Sequence, residues 1–190
     1  MASGTAFMDS AIDTKKLLLD DEYDRTIAEI MKLYDPDRIA LLFIAQTGCR
    51  LGEVSRVTAN DITFGKGRVS MVRIRTLKRT GHPVRQVHLD NNEAAVKLLK
   101  LWAQRIPPDR PLFSTSKRML QWHLERILNK IKPDRETLVH IFRHTKASRL
   151  VRSGAPLTYV RQQLGWSSLE PLRVYAHTTE EEVVKIMDKV

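Results

Sequence analysis

Between Ile62 and Leu89 the hydrophobic period of this 190-residue chain changes, and that change limits its architecture more than any other feature. On either side, apolar residues recur at helical spacing. Inside the stretch, residues 69–75 and 84–89 are rich in β-branched side chains and partly alternate, with Gly81 and Pro83 breaking the run between them. A small antiparallel sheet with a basic hairpin, Lys78-Arg79-Thr80-Gly81-His82, is expected, set into an otherwise helical chain.

The flanks supply the helices. Residues 15–33 carry a helical stripe of Leu18, Tyr23, Ile27, Ile30 and Met31. Asp35-Pro36 reads as a start signal, with Asp35 as N-cap and Pro36 at the first helical position. The run that follows to Gln46 is apolar nearly all round, as a buried helix is, and Gly48 can end it. A short helix over residues 51–57 is expected next. Asp90 with Glu93 resembles a capping box before Val96, Leu99 and Trp102. Leu120, Leu124, Ile127, Leu128 and Ile131 form another stripe, stopped by Pro133. Thr179 precedes three glutamates and the stripe Val183, Ile186, Met187, Val190, which predicts a C-terminal helix over 179–190.

The fold class is therefore mainly α with a small antiparallel β-sheet. Residues 1–14 read as a flexible lead-in or linker stub, and residues 15–190 as one domain with its β insert at about 62–89. With 42% hydrophobic residues, a chain of this length can bury one full core.

Charge narrows the partner. Thirty-two Lys and Arg against 22 Asp and Glu leave a formal charge of +10, which favours a polyanion. Nucleic acid fits better than a membrane, because no stretch is apolar and long enough to span a bilayer. Cys49 is the only cysteine, so neither an intramolecular disulfide nor a cysteine-based zinc site can form. No signal peptide is visible, and a cytoplasmic protein is expected. The histidines do not fall at metal-ligand spacings with carboxylates, and no phosphate-cradling glycine motif occurs. Neither a metal nor a cofactor is expected.

Cations and aromatics concentrate in residues 137–179. His140 and Arg143 stand three apart and share a helical face, so an imidazole and a guanidinium can meet one phosphate. His144 points about 100° away on an ideal helix and reads as structural or solvent-facing. Arg50 follows Gly48 at a corner with Glu53 on its face, an arrangement that also suits an ordinary surface ion pair. Lys78 fits a solvated turn lysine, Tyr175 a half-buried core tyrosine and Trp166 a core filler, when each is taken alone.

Their order and phrasing carry more. TGCRLGE (Thr47–Glu53), HIFRHTKAS (His140–Ser148) and LGWSSLEPLRVYAHTT (Leu164–Thr179) closely resemble the three signature boxes of the tyrosine recombinases, the phage-integrase family. The resemblance runs from about Asp35 to Thr179, with the basic hairpin between the first two boxes. It implies that family's catalytic-domain fold and site-specific DNA recombination through a 3′-phosphotyrosyl intermediate, integrase-like or Xer-like, without metal or ATP.

It also implies roles. Arg50 and Arg143 would clamp the scissile phosphate, and His140 would accept a proton or bind the phosphate. Lys78 would protonate the leaving 5′ oxygen, with Arg79 the alternative if the hairpin register differs. Tyr175 would be the nucleophile, and Glu53 a supporting acid. Trp166 stands where the family usually has a second histidine, and its N–H can still donate. Ile141 and Phe142 replace a common Asp-Leu pair, a change of packing more than chemistry. Arg79, Lys146, Arg149, Arg161 and Arg173 are expected to meet the DNA backbone. Double-stranded DNA is the implied partner, and the implied assembly a homotetramer on DNA, with the C-terminal helix reaching a neighbour or packing on its own domain. Family members usually carry an upstream DNA-clamping domain, so a catalytic fragment or an unusually short protein is expected. The alternatives are a type IB topoisomerase-like nicking-closing enzyme and a DNA-binding module of the same fold that has lost the reaction.

Overall fold

The computed structural model describes residues 14–65, 70–76, 83–89 and 93–175. The described helices are α1 (Asp20–Met31), α2 (Asp37–Thr47), α3 (Leu51–Val54), α4 (Glu93–Ala103), α5 (Lys117–Ile131), α6 (Ile141–Arg152) and α7 (Leu157–Leu164). Three strands, β1 (Ile62–Thr63), β2 (Met71–Arg75) and β3 (Val84–His88), pair antiparallel in that order. The mainly α class with a small antiparallel sheet is what the periodicity predicted. The hairpin tip and the segment expected to form the C-terminal helix lie outside the described residues.

Helix α2 is the axle. Every residue from Ile39 to Thr47 is buried, and α1, α4, α5 and α6 all pack against it. Each large apolar side chain fully buried there contributes about 1.5–3 kcal/mol. The helix starts one residue later than Asp35-Pro36 suggested, with Pro36 at the N-cap position. The Asp35 carboxylate is engaged elsewhere, accepting two 3.0 Å hydrogen bonds from Arg38.

Two further boundaries differ from expectation, each for a local reason. The first expected helix is split into a 3₁₀ turn, Thr14–Lys16, and α1. Between them the Leu18 N–H donates to Thr145 Oγ1 at 2.8 Å, and the Leu19 N–H to Glu22 Oε2 at 2.8 Å. Helix α3 ends at Val54 because Val57 turns away to accept from the Leu112 N–H at 2.7 Å.

The sheet covers one side of the helical core. Alternation turns Val72 and Ile74 of β2 inward, and Arg85 and Val87 of β3 with them. Helix α7 closes the edge of β3, and one of its side chains pairs with the strand's backbone. Gln163 accepts from the His88 N–H at 3.0 Å and donates to the His88 carbonyl at 2.7 Å, standing in for a further strand. A second core forms under α6 and α7, where Leu17, Ala147, Val160, Leu164 and Leu172 surround Tyr175.

Candidate active site

The corner between α2 and α3 is built for close approach. Gly48 takes φ +62° to end α2, and a Cβ there would lie 2.8 Å from Leu164 Cδ2. Arg50 then leads into α3, its backbone N–H donating to Glu53 Oε2 at 2.9 Å and its Nη1 to Glu53 Oε1 at 3.2 Å. The pair is not a surface ion pair, since the Glu53 side chain is fully buried.

Glu53 has a second partner, which sequence reasoning missed. Arg85 projects inward from β3 and donates to Glu53 Oε1 at 3.1 Å and Oε2 at 2.8 Å, with further bonds to Thr76 Oγ1 and the Gln163 carbonyl. The signal was present: alternation puts Arg85 on the same face as Val87 and Leu89. An arginine on an inward face demands a buried anion.

Helix α6 contributes Arg143, and this side chain ties the separated sequence boxes together. It donates from Nη1 to the Gly48 carbonyl at 3.1 Å and from Nη2 to the Leu164 carbonyl. Its guanidinium carbon lies 5.2 Å from the centroid of the Trp166 ring, a cation–π placement. Trp166 thus meets the expected site by its ring face. His140 is at the N-cap position of α6.

Arg50 and Arg85 therefore share a single carboxylate, Glu53, with the Arg143 guanidinium close enough to feel all three charges. Burial raises the Glu53 pKa, but the hydrogen bonds and charge of Arg85, and then Arg50, outweigh it and hold it below the ordinary carboxylate value. Burial first, then Arg50 and Arg85, push the Arg143 guanidinium down to about 9. A guanidinium keeps its proton at neutral pH. The site is left short of negative charge, and an anion beside Arg143 relieves the shortage.

Tyr175 ends a 3₁₀ turn, Glu170–Tyr175, that packs on α6. Its hydroxyl is hydrogen-bonded to His144 Nδ1. His144 is thus not a solvent-facing residue, because the returning chain places Tyr175 against it. The overlooked spacing was that of His140 to His144, four apart on one face, whose ring centroids are 6.5 Å apart.

The other expected residues are distributed unevenly. Lys78 and Arg79 lie outside the described residues, as does the side chain of Arg173. Lys146, expected to meet DNA, is instead 6% exposed, with its Cβ and Cγ against Gly48. It faces inward because Gly48 leaves room for it. Arg149 is exposed and stacks over Tyr23 at 4.4 Å. Arg161 is exposed and lines a cleft with Thr76, Arg85 and Trp166. Among the described residues no three of His, Cys, Asp and Glu converge as a metal site, and no helix is long and apolar enough to cross a membrane.

Comparison with known proteins matches this geometry to a family. The phage integrase family profile aligns with residues 16–182. Tyrosine recombinase XerC of Chlorobaculum parvum is 28% identical over 170 residues, covering 80% of this chain and 48% of that protein. Tyrosine recombinase XerA of Pyrococcus furiosus is 25% identical over 182 residues, covering 92% of this chain and 61% of that protein. The chain thus spans roughly half of these relatives' length. Among solved structures, XerH site-specific recombinase bound to its difH substrate superposes with a TM-score of 0.70 at 22% identity, over 90% of this chain and 53% of that one. The catalytic domain of bacteriophage HP1 integrase gives 0.66 at 20% identity, over 90% and 93%. With the three boxes drawn together around Arg143 and a family match across most of its length, the chain belongs to the phage integrase family.

Proposed function

We propose that this chain is the catalytic part of a site-specific recombinase that cuts and rejoins double-stranded DNA through Tyr175. The observation that carries the reading is the cationic excess of Arg50, Arg85 and Arg143 around Glu53, buried next to a tyrosine-bearing core. Phosphoryl transfer needs little covalent help and much charge neutralisation. Planar guanidiniums suit that task, because their forks match two phosphate oxygens.

Arg50 and Arg143 clamp the non-bridging oxygens, and Glu53, held by Arg85, fixes Arg50. His140 serves as phosphate ligand or proton acceptor beside them. The Tyr175 oxygen attacks phosphorus, the bond to the 5′ oxygen breaks, and Lys78, whose ammonium can give up a proton where the guanidinium of Arg79 cannot, protonates the leaving oxygen. Trp166 holds Arg143 by its ring and has an indole N–H to donate. The phosphodiester energy is retained in the 3′-phosphotyrosine, so another strand's 5′ hydroxyl can reverse the step.

Joining two duplexes breaks four strands. If each tyrosine is used once, four chains must assemble, which supports a homotetramer on DNA acting at the cytoplasmic chromosome. Arg149 and Arg161, both exposed, are the backbone contacts this reading favours among the described residues. The DNA-bound XerH structure supports duplex DNA as the partner.

A nicked suicide duplex tests the reading. Wild-type protein should form a covalent DNA adduct, and Tyr175→Phe none. Folded wild-type protein that binds the duplex without any adduct removes the catalytic reading. A two-site substrate then reports strand exchange.

A further inference from the structure

The Tyr175 hydroxyl and His144 Nδ1 form a hydrogen bond inside one protomer. Their rings lie 6.3 Å apart between centroids, tilted by 38°. Tyr175 is only 7% exposed and sits in the second core with Leu164 and Leu172, so its hydroxyl has little access to bulk water. A phenol ionises near pH 10 in water, and a buried one needs a nearby acceptor to attack at neutral pH. His144 Nδ1 is in direct hydrogen-bond contact with the oxygen that attacks in this reading. His140 is further along the helix, its ring meeting that of His144 edge to face.

We propose that His144 is the base that takes the Tyr175 proton during strand cleavage. This rests on the strand-cleavage reading above and assigns a step within it. The neutral imidazole carries its own proton on Nε2 and accepts the phenol's hydrogen bond at Nδ1. As the tyrosine oxygen bonds to phosphorus, the phenol proton moves to Nδ1 and the phosphorus–O5′ bond breaks. The leaving oxygen takes its proton from a separate acid, Lys78, since a guanidinium such as that of Arg79 does not give its proton up. In rejoining, the incoming 5′ hydroxyl gives up its proton to that acid's conjugate base. The imidazolium then returns its proton to the departing tyrosine oxygen. His140 is left to the phosphate.

The test measures single-turnover cleavage of the nicked suicide duplex by the full chain, its His144→Asn variant, and both with a fluorinated tyrosine at position 175. Asparagine keeps a hydrogen-bond acceptor but takes no proton. A tetrafluorinated phenol, the fluorinated tyrosine used, is largely ionised near neutral pH and needs no base. Cleavage by His144→Asn should fall about 10²-fold or more, and the fluorinated tyrosine should restore it to within roughly tenfold of wild type. A His144→Asn rate within about threefold of wild type overturns the assignment while leaving Tyr175 chemistry standing. So does a loss that the fluorinated tyrosine does not relieve, which marks a packing role. Wild-type protein that makes no adduct overturns both readings. If His144→Asn does not fold, ¹⁵N NMR of the wild-type histidine decides. Nδ1 should be unprotonated and should shift in Tyr175→Phe; a protonated Nδ1 overturns the proposal.

Discussion

Arg85 and Glu53 form a two-toothed buried ion pair, 3.1 and 2.8 Å between donor nitrogens and carboxylate oxygens, and the same carboxylate steers Arg50. Arg85 thus acts on Arg50 through the Glu53 carboxylate they share. Replacing it with methionine leaves the carboxylate half-compensated. Arg85→Met should lower the unfolding free energy by about 3 kcal/mol, read from urea titration. Arg85→Lys should recover only part of that, since a point charge cannot span both oxygens.

The same pair makes stability depend on pH. The folded-state pKa of Glu53 lies below its ordinary value. Its contribution is therefore complete above the unfolded pKa and is lost as pH falls through the folded one. Urea midpoints of wild type and Glu53→Gln should differ most near neutral pH and converge in acid. A gap that widens in acid has the wrong sign for this pair.

Much of this site was legible in the chain, and the exceptions have physical causes. The corner at Gly48 and Arg50, and the face shared by His140 and Arg143, follow from local spacing alone. Alternation marks Arg85 as inward, but not its partner, because Glu53 is 32 positions away. His144 was set aside because helical geometry places it off the Arg143 face. Nothing local says that residue 175 will return to it from 31 positions downstream. Lys146 is expected at the DNA backbone, yet a glycine 98 positions upstream makes room for its stem and it turns inward. Spacing within an element is readable; a partner brought in by tertiary folding is not.

Two of the three described left-handed glycines, Gly48 and Gly165, test how tightly the boxes are drawn together. A Cβ on Gly48 would meet Leu164 Cδ2 at 2.8 Å, and one on Gly165 would meet Arg85 Cδ and Nε at 2.9 Å. Gly48→Ala and Gly165→Ala should each cost about 2 kcal/mol from backbone strain and overlap. Thermal melts should show that as a fall of about 4–8 °C. Gly165→Ala should also slow cleavage, because it displaces Arg85.

Cys49 reports on the integrity of the corner. Burial, the largest influence, pushes its thiol up to about 12. The thiolate is scarce at pH 8, so iodoacetamide should leave the native chain unmodified. Labelling should begin only in urea, in step with unfolding. Rapid labelling of native protein contradicts the buried corner.

The atom that joins the DNA is the most direct test of Tyr175 as the nucleophile. Trypsin treatment of the adduct trapped on a nicked suicide duplex, followed by mass spectrometry, reads that atom. Cleavage after Arg173 and Lys185 releases residues 174–185, which contain Tyr175 as their only tyrosine. The account predicts that this peptide alone carries a nucleotide, linked through a 3′ phosphate to the phenol oxygen. An adduct on any other residue, or a 5′ phosphate linkage, contradicts it.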